Sequence, residues 1–212
     1  MLRLTNTSAL PITAYVVVGS PYQDRGIVFG GYHDSCIFGR IDKPIANGQS
    51  ATHSAGYSMD SQFKMVRTEV PAVVFEDGST AGDPTWIDAV LARRVRFYDR
   101  LMSVHDLLKQ QIGTGPRLPS IIDKLQSAEA SAHKQLPEDD LRVMDDTVFT
   151  GAIRTMEANS GTVDDLLRVY IKHLEGETAE LDRCQPSLDD IRTRLANRPN
   201  PDKPIVPPPF TD

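Results

Sequence analysis

The organisation of this chain is decided by one stretch, EDGSTAGDPTW, at residues 76–86. Its first four residues predict a tight turn, because Asp, Gly and Ser adopt turn conformations readily. Asp83 is a good helix N-cap, and Pro84 suits the first helical position, where a missing backbone N–H costs nothing. The stretch therefore predicts the point at which one kind of structure ends and a long helix begins.

The composition of the chain changes at the same point. Residues 1–83 contain nine of the fourteen glycines and fourteen charged residues, whereas the rest of the chain contains five glycines and 38 charged residues. This shift is typical of a turn-rich β segment followed by a helical segment. We predict a β domain at 1–83, a helical domain at 84–198 and a proline-rich disordered tail at 199–212.

The first part contains short β-branched and aromatic runs without intervening helix signals. Pro71 implies an edge or a bend between the last two of the predicted strands, which are 2–6, 12–18, 26–32, 35–41, 64–70 and 72–76. In the second of these strands, alternation places Ile12 on one face with Ala14, Val16 and Val18. Such a set predicts an antiparallel β-sandwich, with a small open barrel as the alternative.

The first half of the chain resembles a group of uncharacterised bacterial proteins that pair an immunoglobulin-like β segment with a helical C-terminal region. The residues that carry the resemblance are Asn6-Thr7-Ser8, Pro11-Ile12-Thr13-Ala14-Tyr15, Phe75-Glu76-Asp77-Gly78-Ser79 and Gly82-Asp83-Pro84. The resemblance implies an α+β architecture, with an immunoglobulin-like β-sandwich followed by a helical bundle. It implies no activity and no functional residue.

The second part has the periodicity of helices. Apolar residues recur every three or four positions from Pro84 to about Ile112, which predicts a helix of roughly 40 Å. Four further helices are predicted to begin near Ser120, Pro137, Thr162 and Leu188. Trp86 lies in the first turn of the long helix, and we expect it to join the two parts together with Asp83.

Charge and hydropathy narrow the classes of partner. The net charge is −6 and the sequence pI is about 5.4. Broad nucleic-acid binding usually needs a basic patch and a pI above ~9, so no nucleic-acid partner is expected. No apolar run approaches the ~18 residues of a membrane span, and no signal peptide precedes the first strand. We expect a soluble protein, cytoplasmic if Met1 is the true start and secreted or periplasmic if a leader was removed.

The chain has two cysteines, Cys36 and Cys184. A disulfide framework normally shows a larger set with regular spacing, so the sequence favours two separate, partly buried thiols over a pair. Near the first cysteine, His33, Asp34 and Cys36 can ligate a transition metal, with His53 further along. Structural zinc usually uses two clusters of paired ligands and this loop is one cluster, so we favour turn residues around a buried Cys36 and keep a metal site as the alternative.

Polar residues also fall on the predicted apolar faces of the helices, namely Arg94, His105, Glu129, His133 and Asp145. Buried charges must be paired, so we favour a salt bridge from Arg94 to Asp145 or Glu129, with His105 hydrogen-bonded nearby. The alternative is a metal or acid–base site. Carboxylate-bridged metal bundles repeat Glu and His three residues apart, whereas Glu129 and His133 are four apart and occur once.

Three arginines, Arg93, Arg96 and Arg100, line one edge of the long helix beside Phe97. Such a stripe can contact phosphate or an acidic partner. The acidic character of the chain favours a solvated helix edge instead.

The chain contains no Gly-x-Ser-x-Gly, phosphate-binding glycine loop or His-Glu-x-x-His motif. We therefore expect a non-enzymatic binding or assembly module with a protein partner of unknown identity and no cofactor. The alternative is a metal-dependent enzyme that uses the helical polar residues or the His33–Cys36 loop.

Overall fold

The computed structural model is α+β, with two antiparallel sheets and five helices among the residues that it describes, which are 2–21, 29–37, 43–53, 65–134, 147–158, 161–184, 187–199 and 205. The chain divides into two compact units. The β unit comprises Met1–Ala92 and Cys184–Asp212, and the helical unit comprises Arg93–Arg183. These limits differ from the predicted ones at residues 83 and 198, because the start of the long helix and the C-terminal segment cluster with the strands.

Six strands form two antiparallel sheets in the β unit. They are β1 (Leu2–Thr5), β2 (Ile12–Pro21), β3 (Phe29–Asp34), β4 (Ser50–His53), β5 (Met65–Phe75) and β6 (Thr80–Gly82). One sheet has the order β3-β2-β5-β6, and the other pairs β1 with β4. The strands β4 and β6 were not predicted. A strand is predicted at 35–41, but residues 35–37 form a turn and residues 38–41 lie outside the described part.

The strand β2 is the buried centre of the larger sheet, with residues 12–18 at most 7% exposed. Its register against β5 shifts between Ile12 and Ala14, which marks a β-bulge. An inserted residue moves the following side chains to the opposite face. Ile12 consequently clusters with Tyr15 and Val17, and the prediction that it shares a face with Ala14 is wrong.

The two sheets share one hydrophobic cluster. Leu4 of β1 lies opposite Ala51 of β4 in the smaller sheet, and both pack against it. The cluster consists of Ile12, Tyr15, Val17 and Ile45, with partly buried Leu4, Ala51, Val70, Val73 and Phe75 around it. Burial of these side chains holds the smaller sheet to the larger one.

The strand β5 runs through Pro71 without interruption, whereas two strands with a bend are predicted. Its register moves from Ala72 opposite Val16 to Glu69 opposite Val18. Two residues of β5 therefore face one residue of β2, which is a bulge at Pro71. Proline is tolerated inside a sheet at such a bulge, because the ladder hydrogen bond is already absent there.

The predicted turn at residues 76–79 is present. Asp77 Oδ1 accepts hydrogen bonds from the hydroxyl of Ser79 at 2.6 Å and from its backbone N–H at 2.9 Å. These bonds, that of the hydroxyl foremost, lower the pKa of Asp77 because they stabilise its charged form. These contacts are local, and the backbone N–H of Glu76 also donates to Pro11 O at 3.0 Å.

The predicted N-cap of the long helix is confirmed. Asp83 Oδ1 accepts from the backbone N–H groups of Thr85 at 2.8 Å and Trp86 at 3.2 Å. The backbone N–H of Asp83 donates to Pro71 O at 2.7 Å, so the cap is tied to β5. Trp86 is buried within the β unit.

Five helices follow: α1 (Pro84–Lys109), α2 (Leu118–Lys134), α3 (Thr147–Ala158), α4 (Val163–Cys184) and α5 (Leu188–Ala196). The division between the two units falls inside α1, after Ala92. The helix α2 begins two residues before Ser120, and the predicted helix start at Pro137 lies outside the described residues. The predicted cap of α4 is confirmed, because Asp165 N donates to Thr162 Oγ1 at 3.3 Å.

The predicted apolar faces form the core of the helical unit. Fully or nearly fully buried side chains come from each of its helices, namely Leu101, Val104 and Leu108 of α1, Ile121 and Leu125 of α2, Val148, Ala152 and Met156 of α3, and Leu167, Ile171, Leu174 and Leu181 of α4. The period of 3.6 residues explains this agreement, since it places these positions on one side of each helix.

A disulfide joins Cys36 to Cys184, with a Cα–Cα distance of 5.5 Å. The prediction of two separate thiols is therefore wrong. A sequence separation of 148 residues carries no information about distance in the fold, and the bond depends on where the chain returns to the β unit. Cys184 is the residue at which it returns.

The predicted disordered tail lies almost wholly outside the described residues. Ile205, which is described, is 8% exposed, so this residue is packed rather than solvated. In the part of the chain that the structure covers, no helix is both long and apolar enough to cross a membrane.

Candidate functional site

The predicted metal loop is built as a hydrogen-bonded turn. Asp34 is fully buried, and its carboxylate accepts from the Tyr32 hydroxyl at 2.5 Å and from Cys36 N at 2.9 Å. The backbone N–H and hydroxyl of Ser35 both donate to Thr13 O, at 2.8 and 2.9 Å. These bonds position Cys36 for its disulfide, and a sulfur in a disulfide is not the thiolate that binds metal.

The described residues show no metal-ligand set around the histidines of the predicted metal site. The His33 ring stacks on Tyr15 across the β2–β3 pair, with ring centroids 5.0 Å apart. The side chain of His53 lies outside the described part. Among the residues that the structure describes, no group of three His, Cys, Asp or Glu side chains is arranged to hold a metal ion.

The polar residues predicted on the apolar faces of the helices have separate environments. Arg94 is fully buried, as expected. His105 Nδ1 lies 2.9 Å from Asp106 Oδ1 and its Nε2 lies 3.6 Å from Glu175 Oε1. Glu129 Oε1 accepts from Thr150 Oγ1 at 3.1 Å. His105 and Glu129 thus have different partners, while the His133 side chain and Asp145 lie outside the described residues.

A second polar group lies along α4. The rings of Tyr170 and His173 are 5.5 Å apart, and His173 Nδ1 lies 3.8 Å from Glu177 Oε1. Burial of the phenol, with the negative charge of Glu177 as a smaller cause, raises the pKa of Tyr170 to about 12. The phenol therefore keeps its proton to a higher pH than an ordinary tyrosine does.

We expect the alkaline stability of the protein to depend on Tyr170. Its pKa in the unfolded chain is ~10, so the folded state retains the proton while the unfolded state loses it as the pH rises from about 10 to 12. Stability falls over that window. Between pH 8 and pH ~11, the free energy of unfolding of the Tyr170→Phe variant should fall by about 1 kcal/mol less than that of the wild type. Urea unfolding at both pH values measures this difference, and equal losses in the two proteins would contradict it.

A cleft lies in the helical unit. Its volume is ≈ 450 Å³, which is within the ~300–1,000 Å³ of ordinary ligand pockets. It is lined by Arg96, Asp99, Arg100 and Ser103 of α1, Ala128, Ser131 and Ala132 of α2, and Phe149 of α3.

Helix geometry explains this lining. The four positions of α1 follow the spacing i, i+3, i+4, i+7, so they share one face. The three positions of α2 follow i, i+3, i+4 and carry small side chains, which leave open space between the helices. Phe149 closes the cleft from α3 and is itself buried.

No family model, no curated protein and no solved structure matches this chain. Its function is therefore inferred from the geometry of the cleft, in which two neighbouring arginines lie beside an apolar surface.

The cleft also corrects the prediction for the arginine stripe. Arg93 and Arg100 are 1% and 7% exposed, so these two arginines do not lie on a solvated helix edge. Arg100 and the half-buried Arg96 line the cleft together with residues of α2 and α3. The signal in the sequence was the i, i+3, i+4, i+7 set on α1, but nothing local indicated which helices face it.

Proposed function

We propose that this chain is a non-enzymatic binding module whose helical unit receives an acidic peptide segment of a protein partner. The observation that carries the proposal is the cleft, where Arg96 and Arg100 stand one helical turn apart above an apolar surface. It is the kind of site that selects a ligand by charge and by shape together.

The two arginines define the charge of the ligand. A guanidinium group presents paired N–H donors that match the two oxygens of a carboxylate. Two such groups on one helix face suit two neighbouring carboxylates of a peptide. Asp99 beside them and the net charge of −6 oppose a long polyphosphate backbone, which needs an extended basic surface.

The rest of the lining defines the shape of the ligand. Ala128, Ala132 and Phe149 offer apolar contact, so the ligand should carry an apolar side chain between its acids. The hydroxyls of Ser103 and Ser131 can donate to and accept from peptide groups. An acidic peptide with interspersed hydrophobic residues meets all three requirements.

For the whole chain we infer an immunoglobulin-like β-sandwich followed by a helical bundle, as in the bacterial group that its first half resembles. The hydrophobic cluster shared by the two sheets supports the first part of this proposal. The buried apolar faces of α2, α3 and α4 support the second. In this arrangement the sandwich is a scaffold, and the helical unit carries the binding site.

The test is fluorescence anisotropy with a labelled peptide that alternates glutamate and leucine. We expect saturable binding that weakens as salt is added, because the attraction is between charges. The Arg96→Gln/Arg100→Gln variant should bind at least about tenfold more weakly, since hydrogen bonds to charged groups contribute roughly 1.5–3 kcal/mol. A matched peptide with glutamine in place of glutamate should not bind.

Two further variants make the result specific to the cleft. Arg168→Gln removes one exposed positive charge from α4 outside the cleft and should leave the affinity unchanged. Ala132→Leu fills the cleft without changing charge or helix propensity much, and it should abolish binding while the melting temperature is retained. Equal binding by the wild type and Ala132→Leu, or no saturable binding by the wild type, would refute the proposal.

A further inference from the structure

The disulfide lies at a special point of the chain path. The chain leaves the β unit after Ala92 and re-enters it at Cys184. Since Cys184 is bonded to Cys36, the bond closes a loop that contains every residue of the helical unit. The returning segment, which includes α5, is thus covalently attached at its first residue.

One end of the bond is held firmly. Cys36 is buried, and its backbone N–H donates to the buried carboxylate of Asp34 at 2.9 Å. The preceding residue, Ser35, is hydrogen-bonded to Thr13 of β2. Cys36 is therefore a fixed anchor on the larger sheet.

At the other end, most side chains of α5 are exposed. Ile191 is the buried residue of α5, and Arg194 Nε lies 2.9 Å from Asp88 Oδ1 of α1. The Arg194 side chain is 41% exposed, and exposed ion pairs contribute little to stability. A helix of nine residues is also too short to persist in water without tertiary packing. The disulfide therefore supplies a covalent attachment to a helix that buries little surface of its own.

We propose that the Cys36–Cys184 disulfide is a redox-sensitive latch, and that its reduction by a dithiol releases α5 from the β unit while the helical unit stays folded. Cys184 is the more exposed of the two cysteines, so the dithiol thiolate attacks its sulfur. The S–S bond breaks, and the electron pair leaves with the Cys36 sulfur.

The second thiol of the reductant then displaces Cys184 and closes a cyclic disulfide. The dithiol supplies both electrons and both protons, and the two cysteines become thiols. Release uncovers Ile191 and the surface of the β unit that α5 covers. This inference goes beyond peptide binding in the cleft and does not depend on it.

Amide hydrogen exchange of the full chain tests the latch, with dithiothreitol as the reductant. On reduction, exchange in α5 should become at least about tenfold faster, whereas exchange in α4 between Leu167 and Leu174 should not change. The Cys36→Ala/Cys184→Ala variant should show fast exchange in α5 with or without reductant. The Asp88→Asn variant removes only the ion pair and should keep α5 protected in the oxidised protein.

Each of the opposite results overturns the latch. These are protection of α5 in the reduced protein, loss of protection in α4 together with α5, release of α5 by Asp88→Asn alone, and titration of two free thiols in the unreduced protein.

Discussion

Replacing Cys36 with alanine is expected to lower the free energy of unfolding by about 2–5 kcal/mol relative to the oxidised wild type. The bond joins residues 148 positions apart. In the unfolded chain a closed loop of that length has lost roughly 5 kcal/mol of conformational entropy, and native strain or residual structure reduces the measured value. The effect belongs to the bond rather than to either side chain.

A double-mutant cycle tests whether the loss of stability comes from the bond or from the individual side chains. Urea unfolding should show Cys36→Ala, Cys184→Ala and the double variant with nearly equal losses, because each change removes the same covalent bond. A reducing agent should lower the stability of the wild type and leave the double variant unchanged. Losses in the double variant that equal the sum of the two single losses would mean two independent thiols, as the sequence favoured.

The second large effect is expected at Gly82, where Gly82→Ala should lower the free energy of unfolding by about 2–4 kcal/mol. The φ angle of Gly82 is +116°, a conformation that residues with a side chain rarely adopt. A Cβ atom there would lie 2.1 Å from Pro71 O. That oxygen accepts the hydrogen bond from Asp83 N, so relieving the clash would also weaken the link between the helix cap and β5.

Gly176→Ala provides the matched control. Gly176 lies inside α4, is exposed, and has no heavy atom within 4 Å of an added Cβ. Alanine should stabilise the protein there by about 1 kcal/mol, because glycine is the poorer helix former. Thermal and urea unfolding of the two variants should move in opposite directions. A Gly82→Ala protein as stable as the wild type would show that the chain between β6 and α1 is not constrained by Pro71.

Part of the architecture is local, and this part was predictable. The cap at Asp83, the cap of α4 at Thr162 and the turn at residues 76–79 are formed by side chains that bond to backbone within three residues. The buried faces of the helices follow in the same way from periodicity. Sequence patterns describe such features well, because the interacting groups are neighbours along the chain.

Other features required knowledge of which elements meet. The bulge at Ile12 reverses a face that alternation predicts, since the register of β2 depends on β5. Pro71 suggests a break but is accommodated inside β5, because a bulge occurs at that position. The arginines of α1 suggest a solvated edge, whereas residues of α2 and α3 line the cleft beside them.

The sequence by itself determined that the chain is α+β, that a helix begins at Pro84, and which sides of the helices are apolar. These properties depend on backbone propensity, capping and hydrophobic period, which act over a few residues. The tertiary structure alone decided the disulfide, the assignment of α5 to the β unit and the cleft between α1, α2 and α3. Each of these joins groups far apart in sequence, and their proximity depends on the path of the whole chain.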